Sequence, residues 1–109
     1  MAHIQNLEVE TIVQLSRQIE VMEGEIVSKT LVQNQAVTIT LFAFAQGEEI
    51  TTHVSKGDAM VTVLDGIGRF TVDGKDYICK QGETLIMPAK KPHAVYGQEN
   101  FKMILTVIF

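Results

Sequence analysis

Short runs of β-branched and other apolar residues alternate with turn residues along most of the chain. From about residue 19 onward, Gly, Asp-Gly and Pro separate these runs. Runs of this length, bounded by such residues, are typical of strands in a β-sandwich or barrel. The predicted strands cover residues 26–32, 36–45, 50–54, 59–64, 67–72, 77–79, 84–87, 93–96 and 101–109. The pattern therefore predicts an all-β domain.

Two of these strands are apolar on more than one face. Within 36–45, one face carries Val37, Ile39, Leu41 and Ala43, and the other carries Thr38, Thr40, Phe42 and Phe44. Side chains alternate between the faces of a strand, so we expect one face to line a barrel interior and the other to meet a second layer. Residues 101–109 are apolar at nearly every position, which predicts a central strand.

The N-terminal residues and the most distinct turn complete the predicted architecture. Apolar residues at positions 4, 7, 12 and 15 have roughly helical spacing, and Asn6 could cap a short helix. We therefore predict a helical or extended arm over 1–18, followed by a barrel over 19–109. Within the barrel, Asp73-Gly74 lies between two alternating runs and predicts a two-residue type I′ hairpin, in which both turn residues have positive φ.

Composition narrows the class of protein. The chain has 109 residues, enough for one domain. Its net charge of −4 argues against nucleic acid or an anionic membrane as the main partner, because both require a basic surface. The first six residues lack a secretory pattern, and no apolar run approaches the ~20 residues of a membrane helix. These features predict a cytoplasmic protein. The single cysteine, Cys79, excludes an intramolecular disulfide and a cysteine-based zinc site.

Two segments share a layout that places a histidine at a similar point. The first has Gly47, five residues, then His53, and ends at Gly66; the second has Gly82, five residues, Pro88, then His93. This layout resembles the small single-domain cupins of the conserved-barrel, RmlC-like type. The resemblance covers roughly residues 19–109. It implies a double-stranded β-helix, or jelly-roll barrel, after a short arm.

The resemblance also implies a set of metal-ligand positions, which this chain fills only in part. Cupins commonly bind a divalent metal through three His and one Glu. The first and fourth positions fall on His53 and His93, whereas the second and third fall on Ser55 and Ala59. We therefore expect either no metal or a weakly bound divalent ion such as Zn, Ni, Fe or Mn. A third ligand could come from Asp58 or Glu48. Asp58 would require a bulge, since its side chain should point away from the face of Ala59.

The two histidines allow a metal-free interpretation as well. A neutral imidazole can accept or donate a proton, so the pair could bind a ligand or act in acid–base catalysis. Alternatively, the histidines could be pocket remnants that hold only water or each other.

Two further polar segments have both a functional and a structural interpretation. Ser55 close to His53 could suggest a nucleophile, but Ser55, Gly57 and Asp58 are turn residues and no G-x-S-x-G motif is present. Lys90 and Lys91 could attract an acidic molecule, or be solvated surface.

Several apolar side chains could line a pocket beside the histidines or simply fill the core. The predicted pocket consists of Phe42, Phe44, His53, Ser55, Met60, Met87, His93 and Tyr96. On this basis the leading hypothesis is a small-molecule-binding cupin with a degenerate metal site. The alternatives are a cupin enzyme of isomerase, epimerase or dioxygenase type acting on a small polar metabolite, and a scaffold for dimerisation. The resemblance further implies a homodimer, in which residues 26–32 add to the partner's sheet.

Overall fold

The structure, a computed structural model, describes residues 3–109, and strands dominate this part of the chain. A 3-10 helix at Leu15–Arg17 precedes the strands. The strands are β1 (Ile26–Gln33), β2 (Val37–Phe44), β3 (Glu49–Val54), β4 (Asp58–Asp65), β5 (Ile67–Val72), β6 (Lys75–Lys80), β7 (Thr84–Met87), β8 (Pro92–Gly97) and β9 (Phe101–Ile108). Each predicted strand is present, which confirms the all-β class. No helix within residues 3–109 has the length and apolar character needed to cross a bilayer.

The strands form two antiparallel sheets that face each other. The large sheet has the order β1-β2-β9-β4-β7, and the small sheet has the order β3-β8-β5-β6. The strand β9 lies between β2 and β4, which confirms its predicted central position. The hairpin between β5 and β6 turns at Asp73 and Gly74, with φ values of 51° and 82°, as a type I′ turn requires.

The main core fills the space between the sheets. Its largest members are three aromatic rings, those of Phe44, Phe70 and Phe101, and all three are almost fully buried. Aliphatic and sulfur-containing side chains complete it: Ala59, Val61, Val63, Cys79, Met87, Val95 and Met103. The burial of this apolar surface is the main stabilising contribution to the fold.

A second, smaller core lies on the outer face of the large sheet, under the N-terminal arm. Ile19, which directly follows the arm, packs there against Leu31, Val32, Leu41 and Ala43. Both faces of β2 are therefore covered, as the apolar pattern of that strand predicts. Two lysines fasten the arm to the sheet: Lys29 Nζ donates to Gln18 O (3.0 Å), and Lys102 Nζ donates to Ser16 O (2.7 Å).

Of the two predicted forms of the arm, helical or extended, the short helix near its start is absent from residues 3–14. Residues 3–14 form bends and turns, and Asn6 and Glu10 have φ values of 64° and 55°, which no α-helix accommodates. The predicted cap residue instead uses its amide to donate to Thr30 O. Leu7 and Leu15 of the arm pack against the smaller core, whereas Ile4 and Ile12 are exposed. A segment this short gains little from helix formation on its own.

Candidate functional site at the barrel mouth

A β-bulge in β3 places His53 on the inner face of the small sheet. Ile50 pairs with Val95 and His53 pairs with His93. Three residue steps along β3 therefore span the same distance as two steps along β8. In a regular strand, residues three apart point to opposite faces. The extra residue lets Ile50 and His53 share the face on which Val95 enters the core. Bulges often re-aim a side chain beside a functional site.

The two histidines form a close pair across β3 and β8. Their ring centroids lie 4.2 Å apart, with an angle of 66° between the ring planes. His93 is only 4% exposed, whereas His53 is exposed at the rim. On its other side, His93 pairs with Val72 of β5. The structure therefore brings together the two histidines that the sequence singles out, at one end of the barrel.

Hydrogen bonds to the backbone orient both imidazole rings. Nδ1 of His53 donates to Thr51 O at 3.0 Å, and Nδ1 of His93 donates to Lys91 O at 3.2 Å. A carbonyl oxygen only accepts, so Nδ1 carries the proton in each ring. In a neutral imidazole, Nε2 is then a free acceptor. Within residues 3–109, no fully buried polar side-chain atom lacks a hydrogen-bond partner. Nε2 of His93 forms no hydrogen bond there, so this nitrogen is accessible to solvent.

The environment of His93 favours its neutral form. Burial lowers the pKa of His93, the hydrogen bond to Lys91 O opposes this effect, and the neighbouring His53 lowers the pKa further. Removing a charged imidazole from water is costly, which explains why burial dominates. At neutral pH, His93 is therefore an acceptor at Nε2 and carries no charge.

The lowered pKa of His93 makes stability depend on pH. The unfolded chain takes up a proton at the ordinary histidine pKa of about 6.5, whereas the folded chain resists it. The free energy of unfolding is therefore highest above that pH, where the unfolded chain gains nothing by binding this proton. It decreases as the pH falls through that value. We expect urea unfolding at pH 7.5 and 5.5 to show a smaller pH-dependent loss for His93→Gln than for the parent. The exposed residue His3 provides the control: His3→Gln should retain the parent's pH dependence, and equal slopes in all three proteins would contradict this account.

The other expected metal-ligand positions do not supply ligands. Ser55 Oγ accepts from Gly57 N at 3.2 Å, which confirms the turn interpretation. Ala59 is buried in the core and has no ligating atom, while Asp58 Oδ1 accepts from Ala89 N at 2.8 Å. Among residues 3–109, no three His, Cys, Asp or Glu side chains come together to hold a metal ion. Two imidazoles are fewer than the three or four protein ligands of ordinary zinc sites, so this donor set does not fit a tightly bound metal.

We expect metal removal to leave the fold unchanged. The packed core and the backbone hydrogen bonds of the two sheets stabilise the barrel, and no three metal-ligating side chains come together among residues 3–109. Dialysis against EDTA should therefore leave the melting temperature within experimental error of that of the untreated protein. A clear fall in the melting temperature, reversed by adding back one divalent ion, would contradict this expectation.

The remaining residues of the predicted pocket divide between the inside and the outside of the barrel. Met87 and Phe44 are buried in the main core, and Phe42 packs against it. Met60 is on the outer face of β4 and is 43% exposed, because it directly follows the inward residue Ala59. Tyr96 is on the outer face of the small sheet, where the guanidinium of Arg69 lies 4.3 Å from its ring centroid. The expectation that Met60 and Tyr96 line the pocket is corrected accordingly.

A cleft beside the histidine pair was not predicted from the sequence. It has a volume of about 250 Å³ and lies between β6 and β7, the last strands of the two sheets. Its lining combines apolar and polar side chains: Val72, Asp73, Tyr77, Leu85, Ile86, Pro88 and Lys91. Val72 links the two features, because it lines the cleft and pairs with His93. At the rim, Lys91 Nζ lies 3.5 Å from Asp73 Oδ2.

The fold and the histidine pair at its mouth define a barrel of the cupin class. The family model for the cupin domain matches residues 40–109, which is more than half of the chain. The chain belongs to this family. No curated protein is significantly similar to the chain.

Three solved structures show how closely the chain follows this family. A conserved protein of unknown function from Streptococcus pyogenes is 41% identical, with a TM-score of 0.97 and coverage of 99% of this chain and 95% of that one. A cupin superfamily protein from Desulfitobacterium hafniense is 32% identical, with a TM-score of 0.94 and 99% coverage of both chains. A cupin 2 conserved barrel domain protein from Leptotrichia buccalis is 46% identical, with a TM-score of 0.85 over 86% of this chain and 46% of that one.

Proposed function

We propose that this cupin binds a small hydroxylated molecule at the barrel mouth, and that His53 and His93 are its polar contacts. The observation that carries the proposal is the pairing of two imidazoles whose Nδ1 atoms are both held by backbone carbonyls. When both rings are neutral, each Nε2 is an acceptor, and the ring centroids lie only 4.2 Å apart. Hydroxyl groups are natural donors for such acceptors. Fixed polar groups beside an apolar wall are typical of small-molecule sites.

The adjacent cleft limits the size of the ligand. Its volume of about 250 Å³ is below the roughly 300–1,000 Å³ of sites for drug-sized molecules. Val72 and Leu85 supply an apolar wall, whereas Tyr77 and the Lys91–Asp73 pair supply polar groups at the rim. These features favour a metabolite with a short apolar portion and at least two hydroxyl groups.

Binding without a tightly held metal is the form of the proposal that the donor set supports. The two imidazoles, with water or ligand oxygens, could still hold a divalent ion weakly. Such an ion would add a positive charge and attract carboxylates in place of hydroxyl groups. The two cases therefore differ in the class of ligand that they select.

Ligand-observed NMR with a library of small polyols, sugars and hydroxy acids tests this proposal. We expect the parent to bind at least one hydroxylated compound, and His53→Gln and His93→Gln each to weaken that binding by about tenfold or more, since each removes one hydrogen bond in a partly desolvated site. His3→Gln is the matched control and should bind like the parent.

Two results would contradict the proposal. The first is unchanged binding by both site variants when circular dichroism shows that they are folded. The second is binding that appears only after a divalent ion is added, which would make the ion the recognition element. Chemical conversion of the bound compound would instead support the enzymatic alternative, with the histidine pair in acid–base catalysis.

A further inference from the structure

Positive charge is concentrated at the end of the barrel where the two histidines lie. The connections between strands at this end are 34–36, 55–57, 73–74 and 88–91. Together they carry three lysines and one aspartate. The connections at the opposite end are 45–48, 66, 81–83 and 98–100, and they carry three glutamates and no lysine or arginine. A chain with a net charge of −4 therefore has a locally positive mouth, which attracts anionic molecules.

One row of side chains on the inner face of the small sheet connects the histidines with a lysine. The strand registers pair His53 with His93 and His93 with Val72. Val72, which packs against the main core and lines the cleft, pairs in turn with Lys75 at the start of β6. Directly opposite residues of an antiparallel pair lie on the same face, so Lys75 ends this row at the side of the cleft.

The side chain of Lys75 lies against a wall of the cleft. Its Nζ is 5.3 Å from the ring centroid of Tyr77, which lines the cleft. A cation–π contact of this kind orients the ammonium group and leaves its N–H donors free. The only ion pair among residues 3–109 joins Lys91 and Asp73, so no carboxylate in this part of the chain lies within 4.0 Å of the Lys75 nitrogen. The positive charge of Lys75 is therefore available to a ligand.

The lysine pair that the sequence singles out contributes less to the charge of the cleft. Lys91 lines the cleft, but its charge is compensated by Asp73 at 3.5 Å. Lys90 lies outside the lining, and its backbone N–H donates to Ser55 O at 2.9 Å. The cleft thus has one uncompensated positive charge, that of Lys75. A single charge matches one carboxylate, whereas a phosphate group carries about −1.5 to −2 at neutral pH.

We propose that the ligand of this site is a short hydroxy acid, whose carboxylate binds Lys75 while its hydroxyl groups bind His53 and His93. This inference rests on the proposed function and adds the charged end of the ligand. Two strand spacings separate His93 from Lys75, about 10 Å in all. Two hydrogen bonds of about 2.8 Å take up part of this distance and leave about 4–5 Å, which a chain of a few carbon atoms spans. Val72, between the two polar ends, supplies the apolar contact for that chain.

Dihydroxy acids compared with their own primary amides test this inference, because the amide keeps the shape of the acid and removes its charge. The probes are glycerate, 3,4-dihydroxybutanoate and 4,5-dihydroxypentanoate, titrated by NMR in the presence of EDTA. We expect at least one acid to bind about fivefold or more tightly than its amide, since a charge-assisted hydrogen bond at a partly exposed site is stronger than a neutral one. Adding NaCl to about 0.5 M should reduce this difference, because salt screens exposed charges.

Three variants assign the difference to Lys75. Lys75→Gln should weaken binding of the acid to the level of its amide and leave binding of the amide unchanged. Lys80→Gln is the matched control: it removes the same charge from the other end of β6, where Lys80 pairs with Ile67, and should bind like the parent. Asp73→Asn should strengthen binding of the acid alone, because it frees the charge of Lys91. Asn suits the type I′ turn as well as Asp does, so the hairpin should remain intact.

The outcomes separate this inference from the proposed function. Equal affinities for each acid and its amide would overturn the inference, and the proposed function would stand if His93→Gln weakened both. The inference is also overturned if no acid binds, if Lys75→Gln binds the acid like the parent, or if 4,5-dihydroxypentyl phosphate binds more tightly than the acid. Acid binding that depends on Lys75 but is unchanged in His53→Gln and His93→Gln would support the lysine contact and overturn the histidine contacts.

Discussion

Replacing Phe101 with alanine is expected to lower the free energy of unfolding by about 3–5 kcal/mol. Phe101 is 1% exposed at the start of β9 and joins the other two large rings of the core. Its ring stacks on Phe44 with centroids 4.7 Å apart and meets the edge of Phe70 at 6.1 Å. The ring also lies directly over Gly68, where a Cβ atom would come within 2.7 Å of it. Truncation would leave a cavity that this rigid surround cannot fill by collapse.

Urea unfolding followed by circular dichroism measures this loss, and Phe109→Ala is the matched control. Phe109 undergoes the same change next to the end of the same strand, but it is 55% exposed. Its replacement should cost less than about 1 kcal/mol, because surface substitutions have small effects. Similar losses for Phe101→Ala and Phe109→Ala would show that the three-ring packing is not the main stabilising feature of the core.

The second large effect is expected for Gly66→Ala, which should cost about 3 kcal/mol or more. Gly66 connects β4 and β5 with a φ of 77°, a region that L-residues rarely adopt. A Cβ atom at this position would also overlap the carbonyl oxygen of Asn100 and crowd Phe101. The obstacle is backbone, so it cannot rotate away as a flexible side chain would.

Gly82→Ala separates the two causes of this loss. Gly82 has a similar φ of 85°, but a Cβ there would have open space within 4 Å. Its replacement should cost about 1–2 kcal/mol from the backbone conformation alone. Urea unfolding of both variants gives the comparison, and equal losses would mean that the close approach to Asn100 has no energetic effect.

The strands and the barrel were predictable from the sequence because their signals are local. The Asp73-Gly74 turn and the alternation along 36–45 depend only on neighbouring residues, and both occur as expected. The conformation of the arm was harder to predict, because its apolar residues have nearly helical spacing although only Leu7 and Leu15 among them pack onto the large sheet. Long-range contacts with Leu31 and Leu41 decide its conformation, and no local pattern encodes them.

The histidine pair could be predicted, but not all of its surroundings. His53 and His93 were identified by motif spacing, and the structure brings them together. The structure has Met60 and Tyr96 on the outside of the barrel. For Tyr96 the strand period already indicates this, because it is three residues from His93 in a regular strand and so faces the other side. In β3, the bulge before His53 changes the face on which this side chain lies, so strand alternation alone gives the wrong face. Nothing in the residue types of Thr51 or Thr52 indicates the bulge.

The cleft between β6 and β7 could not be predicted from the sequence for a different reason. Its walls come from separate sheets, and Tyr77 and Leu85 meet there only because both sheets end at that side of the barrel. A strand pattern identifies which residues face inward but not which sheet edges remain apart. The lining of the cleft therefore depends on the three-dimensional arrangement of the two sheets.

The central claim is that both histidines present an unprotonated Nε2 to a small hydroxylated ligand. Long-range ¹H–¹⁵N NMR of the imidazole rings at pH 7.5, with and without a hydroxylated compound that binds, tests it most directly. We expect the Nδ1-protonated tautomer for His53 and His93 in the free protein, because both Nδ1 atoms donate to carbonyls. The Nε2 resonances of both rings should shift on binding, while those of His3 stay unchanged. Protonation at Nε2 in the free protein, or binding that leaves both Nε2 resonances in place, would contradict the account.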